Sequence, residues 1–201
     1  MQKENELSHR DSLNIIEQMI SAARNDHRET GLGWLVWGWL LFIASAASAI
    51  LLLLRIYGYI SWIWTSVPII GLSIHFSLRI KNKNKRQVKT YVEEILEKFG
   101  TGFYISLFAM IAGAFILNKN ASTFGYYYIL YAFWMFIHGS AIRFKPLLIG
   151  AVFNWIAAIL IFLVNDILYV MLISAVAILI GYLIPGYMLR NQYNKKSKTI
   201  S

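Results

Sequence analysis

The chain has 201 residues, 58% hydrophobic and only 14% charged, with no cysteine and a formal net charge of +9. A soluble domain carries roughly 25% charged residues, whereas here the charges cluster between apolar runs of membrane-spanning length; mean hydropathy is +0.53. The absence of cysteine excludes disulfides, thiolate metal sites and cysteine nucleophiles, and the placement of the positive charge, set out below, accounts for it without nucleic acid.

The first segment, 1–32, is read as a cytoplasmic amphipathic helix. Leu13, Ile16, Ile20 and Ala23 recur at helical spacing, and Ser8 with Asp11 resembles a capping box. The run "GLGWLVWGWL" (31–40) then opens a first span, Trp34–Leu54, with Gly31 and Gly33 as the hinge and Trp34 in the cytoplasmic aromatic belt. No small-residue cleavage site accompanies it, so it reads as a retained span, not a signal peptide. A second span, Gly58–Leu78, completes a hairpin over 33–78.

Segment 79–100 is basic and then amphipathic. Val88, Tyr91, Val92, Ile95, Leu96 and Phe99 form an apolar stripe opposite Glu93, Glu94, Glu97 and Lys98, which predicts a second cytoplasmic helix. Spans Thr101–Leu117 and Phe124–Ile142 make a hairpin over 101–145. Leu147–Val164 and Ile167–Leu189 make a third over 146–190, followed by a basic tail, 191–201. At ~1.5 Å rise per residue each run covers most or all of a ~30 Å hydrocarbon core. The fold class expected is therefore an all-α polytopic membrane protein, six transmembrane helices in three hairpins plus two cytoplasmic amphipathic helices, forming one membrane domain.

Of the 19 lysines and arginines, all but Arg55 and Lys119 fall on one side of these spans. Positive charge is retained on the cytoplasmic side, which predicts cytoplasmic N- and C-termini. Arg79, Lys81, Lys83, Lys85 and Arg86, with Arg143 and Lys145, are the expected contacts to anionic headgroups. Asn120 begins a glycosylation sequon, "NAS", too close to the membrane to serve as an acceptor.

The order amphipathic helix, Gly-rich entry, span, Gly-Tyr turn, span with His and Arg occurs twice, with "TGLGW" matched by "GTGF" and His75/Arg79 by His138/Arg143. This is read as an internal repeat, which implies a pseudo-symmetry axis along the membrane normal. Small residues mark the faces expected inside the bundle: Ala44, Ser45, Ser48 and Ala49; Gly102, Ser106, Ala109 and Gly113; Ser174, Ala177 and Gly181.

Chemistry-bearing residues are few. Asn154 is the one carboxamide well inside a span, and Pro68 and Pro185 are expected to bend theirs; these three are the transport-path candidates. Asp166 is the one acidic residue outside the cytoplasmic segments. His75 and His138, at matching depth near cytoplasmic helix ends, are the candidate haem or metal ligands, though interfacial hydrogen bonding explains them more simply and no cofactor is the leading expectation. No H-E-x-x-H, Walker A or G-x-S-x-G pattern occurs, and Gly31-x-Gly33 follows no strand, so no catalytic residue is assigned.

The runs "LNIIEQMISAARND" and "GLGWLVWGWLLFIAS" resemble the opening of small uncharacterised multi-pass membrane proteins of Bacteroidota. The resemblance covers about residues 13–45. It implies a bacterial inner membrane and assigns no activity. The functional expectation is a non-enzymatic inner-membrane interaction or regulatory subunit, working through its cytoplasmic helices on another protein or on itself. A small transporter or channel is the alternative, and a haem or metal protein the third reading.

Overall fold

Helical runs this apolar close every backbone hydrogen bond within themselves, the condition for a chain in hydrocarbon. The structure, a computed structural model, describes residues 30–83, 91–117 and 123–200. The predicted N-terminal amphipathic helix, Lys85, Arg86 and Asn120 lie outside those residues. Within them the chain is all-helical: α1 Leu32–Leu53, α2 Ile60–Lys83, α3 Tyr91–Leu117, α4 Thr123–Ala141, α5 Lys145–Leu163, α6 Ile167–Ile178, a π-helical segment Leu179–Leu183, and α7 Ile184–Ile200. The last three run on as one rod.

Four of these helices, α1, α3, α5 and the α6–α7 rod, are long and apolar enough to cross a membrane. In α2 the apolar stretch among the described residues is Ile60–Ile74. In α4 the reason is composition: Tyr126, Tyr127, Tyr128, Tyr131, Trp134 and His138 replace the aliphatic residues of an ordinary span.

Neighbouring helices pair antiparallel, and close approaches fix the register. Gly125 of α4 lies against Phe162 of α5, and Gly139 at the other end against Leu147 and Leu148. Gly31, just before α1, and Gly38 within it meet Arg190 and Leu183 of the last rod. The core is made by α1, α4, α5 and α6–α7. Its buried faces are built from small and aromatic side chains: Gly38, Ala44, Ser45, Ser48 and Ala49 on α1; Gly150, Ala151, Ala157 and Ala158 on α5; Ser174, Ala177 and Gly181 on the last rod. In lipid, burial of alkyl groups gives no net drive between helices, so close approach of small residues does the work. α2 packs on α1 and α3 on α4, both at the outside.

The small-residue face expected of α3 is the exception. Gly102, Ser106 and Ala109 are exposed, and a side chain at Gly102 or Gly113 would meet open space. α3 instead attaches through rings: Phe103 against Tyr131 and Trp134 of α4, and Tyr104 against Trp37 of α1. The leading helix of the first hairpin therefore sits in the core and that of the second at the edge.

Two helix ends share a device. Beyond α1, Arg55 takes φ 59, while Ile56 N–H donates to Leu51 O and Arg55 N–H to Leu52 O. Beyond α4, Arg143 takes φ 54, while Phe144 N–H donates to Gly139 O and Arg143 N–H to Ser140 O. Both are Schellman caps with arginine where glycine is usual, and the left-handed conformation costs an L residue ~1–2 kcal/mol. Arg143→Gly is expected to be more stable than Arg143→Ala by about 1 kcal/mol, read as the difference in thermal midpoint in detergent. Equal midpoints would show that Arg143 is not held left-handed.

Asp166 has a structural role: it caps α6, its Oδ1 accepting from Leu168 N–H at 2.9 Å. A carboxylate there satisfies a free amide and faces the positive end of the helix dipole. Asp166→Ala should cost about 1 kcal/mol and Asp166→Asn much less, as measured by unfolding in the same detergent. An equal loss in both variants would assign the effect to charge alone.

Candidate functional site

The entry run 31–40 organises one end of the core. Gly31, at φ 70, sits where a Cβ would press on Arg190 N and Gly186 O of α7, so no other residue fits well. Arg190 reaches back, its Nη1 donating to Thr30 O at 3.4 Å. Trp34 is not a belt residue as expected; it is 5% exposed. α1, α4 and the last rod converge there, and its indole lies between His138 (ring centroids 5.3 Å) and Tyr182 (5.3 Å). Trp39 takes the partly exposed position, donating from Nε1 to the Tyr187 hydroxyl at 3.1 Å. Trp37 fills the space over Gly71 of α2.

His138 is buried on α4 between Trp34 and Trp134, at 5.3 Å from each ring. Below it a column of rings continues: Tyr182 to Tyr131 at 6.0 Å, and Tyr131 to Tyr128 at 5.9 Å. The Tyr128 hydroxyl faces Ser174 of α6. His75 lies on α2, its side chain outside the described set, so the His75/His138 pairing gains no geometry. Among the described residues no group of three or more His, Asp or Glu comes together to hold a metal.

Asn154 is fully buried on α5. Its Nδ2 donates to Gly150 O at 2.8 Å and to Met135 Sδ of α4 at 3.4 Å. The same amide nitrogen is pressed onto Gly181, where a Cβ would overlap it. A Cβ on Gly150 would stand 2.6 Å from Gly181 O. The two glycines thus let α5 and the π segment touch backbone to backbone, with Asn154 as the wedge.

Pro185 explains the π segment. It has no N–H to give Gly181 O, and its ring crowds that carbonyl. The ladder widens, and Ile184 N–H bonds Leu179 O instead. The expected bend at Pro185 is therefore a widened turn, seated on Asn154. Pro68 lies inside α2, which continues through it as helix. Hydroxyls along α2 satisfy themselves on their own helix: Thr65 on Ser61 O, Ser66 on Ile63 O and Ser73 on Ile69 O. Of the transport-path candidates, the structure brings Pro185 close to Asn154 through Gly181 and places Pro68 on an outer helix.

One open groove lies between α3 and α4, about 520 Å³, lined by Lys98, Phe99, Gly102, Ser106, Phe133 and Trp134 among others. The sequence signal for it was the small-residue stripe of α3, read instead as a packing face. Of the expected headgroup contacts, Arg143 and Lys145 are exposed at the α4–α5 turn. Arg79, Lys81 and Lys83 lie on the last turns of α2.

The geometry defines an all-helical protein with four helices able to cross a membrane. No protein-family model, curated protein or solved structure matches the chain.

Proposed function

We propose that the chain is a six-span bacterial inner-membrane protein with both termini cytoplasmic, acting as a non-enzymatic interaction or regulatory subunit. The observation that carries this is the outer position of α2 and α3. Each packs chiefly on one core helix and leaves most of its surface free, and the segment 79–100 that joins them carries the densest charge in the chain. With segment 8–30 it forms the working surface.

Support for six spans comes from pairing. α4 runs antiparallel along the whole of α5, itself long enough to cross, so the two traverse together. α2 is paired likewise to α1, through Gly71 on Trp37 and Trp64 Nε1 donating to Ser48 Oγ at 3.1 Å. The lysine and arginine bias supports the orientation, and the likeness of residues 13–45 to the Bacteroidota proteins supports the compartment. The repeated Gly-rich entry is read as a repeated way into the membrane.

A photo-crosslinker at exposed Glu94 should capture a defined protein in native membranes, while one at lipid-facing Ile159 should not. No protein adduct at Glu94 would overturn the reading. One observation favours a transporter instead: Asn154, the π segment and Pro185 converge inside the bundle. Solute flux in proteoliposomes, lost in Asn154→Leu, would establish that alternative.

A further inference from the structure

The groove between α3 and α4 has a chemistry of its own. Its floor opens at Gly102, where a side chain would meet nothing. Its walls are rings, Phe99 from α3 with Phe133 and Trp134 from α4, and its deep end reaches Ser106. From Lys98 to Ser106 the lining covers roughly 12 Å of α3. That is most of the ~15 Å hydrocarbon depth of one leaflet. Among the described residues of the lining the one cation is Lys98, towards the Ile95 end of the groove.

We infer that this groove holds one anionic phospholipid of the cytoplasmic leaflet, an acyl chain lying in the slot over Gly102 and the headgroup phosphate on Lys98. Charge and length together argue for it. A second helix would need no cation at one end, whereas a phospholipid carries a negative group at one end of an apolar chain. Lys98 Nζ pairs with Glu94 Oε1 at 2.8 Å, but both side chains are largely exposed. Such a pair is weak and yields to a phosphate at little cost. The inference rests on the proposed orientation, which puts the Lys98 end of α3 at the cytoplasmic surface.

The test uses the full chain in nanodiscs of mixed phosphatidylcholine and phosphatidylglycerol, with retained lipid read by native mass spectrometry. The wild type should retain one lipid and prefer phosphatidylglycerol about fivefold, the effect of one lysine near an anionic phosphate. Gly102→Leu should release that lipid. Ser106→Phe, which fills the deep end independently, should do the same. Lys98→Gln should keep a lipid and lose the preference. Retention unchanged in both filled variants, or a wild-type lipid ratio equal to that of the bulk, would overturn the inference. So would ready disulfide formation between copies carrying Gly102→Cys in this cysteine-free chain, which would show a second copy in the groove. Because the readout is lipid on purified protein, its failure leaves the crosslinking test of the subunit reading intact.

Discussion

Gly150→Val is expected to destabilise the folded bundle severely. The first added carbon would stand 2.6 Å from Gly181 O and 2.6 Å from Met135 Cε, and the next nearest atom is Gly181 Cα at 3.1 Å. A flexible side chain such as Met135 can yield, but the carbonyl belongs to the π segment and cannot move without shifting the whole last rod. Overpacking a well-filled core costs about 1–3 kcal/mol. Separating two helices at their closest contact belongs at or above the top of that range, against a total stability of only ~5–15 kcal/mol. Thermal unfolding in detergent, followed by circular dichroism and size exclusion, checks it. Gly33→Ala is the control: nothing lies within 4 Å of its Cβ, so stability should hold or rise by about 0.5–1 kcal/mol. Equal behaviour of the two variants would mean that α5 and the last rod do not touch at these glycines.

The second large effect is expected at Asn154. Asn154→Asp replaces the donor on Gly150 O with an oxygen, at a position 0% exposed inside a candidate span. Acidic residues at the centre of a span cost about 2.5–3.5 kcal/mol on insertion scales, and two oxygens facing each other add to that. Asn154→Leu has nearly the same shape and leaves no polar atom. Gly150 O keeps its own helical partner, and the unbonded Oδ1 of the native side chain disappears, so the loss should stay below about 1.5 kcal/mol. The order Asn ≥ Leu ≫ Asp in unfolding experiments identifies a packing wedge. A severe loss in Asn154→Leu would show that the amide itself is required.

How much of this was legible beforehand depended on which partner a residue meets. Continuous apolar runs and short polar turns located most of the helices, because backbone satisfaction in lipid leaves few other solutions; the exception is Tyr91–Leu117, one unbroken helix where a cytoplasmic amphipathic helix and a separate span were expected, because no residue at 100–102 breaks the backbone ladder. The small faces of α1 and α6 were legible for the same kind of reason, since they permit approach and a partner was present. The stripe on α3 carries the same signal but has no neighbour, and nothing within a single helix distinguishes the two cases. Trp34 was misread because position near a span end suggests the belt; its burial follows from His138 and Tyr182, which lie over a hundred residues away in the chain. Asn154 pointed to a path because polar groups in spans often line one. The corrective signal was Gly150, one turn before it, with Gly181 four residues before Pro185. Together they mark a contact too tight for side chains.

The closeness of α1 to the final rod bears on how the protein is made. α1 is synthesised before α6 and the π segment, in which its small-residue face and the glycine at 38 find their main partner. Until then the small-residue face of α1 and the open space at Gly38 face lipid or a temporary neighbour. α1 and the α6–α7 rod then close on each other, so loss of that rod removes the main partner of α1. A chain cut after α5 should therefore insert but remain a substrate for membrane proteases, which gives quality control a checkpoint on the α6–α7 rod.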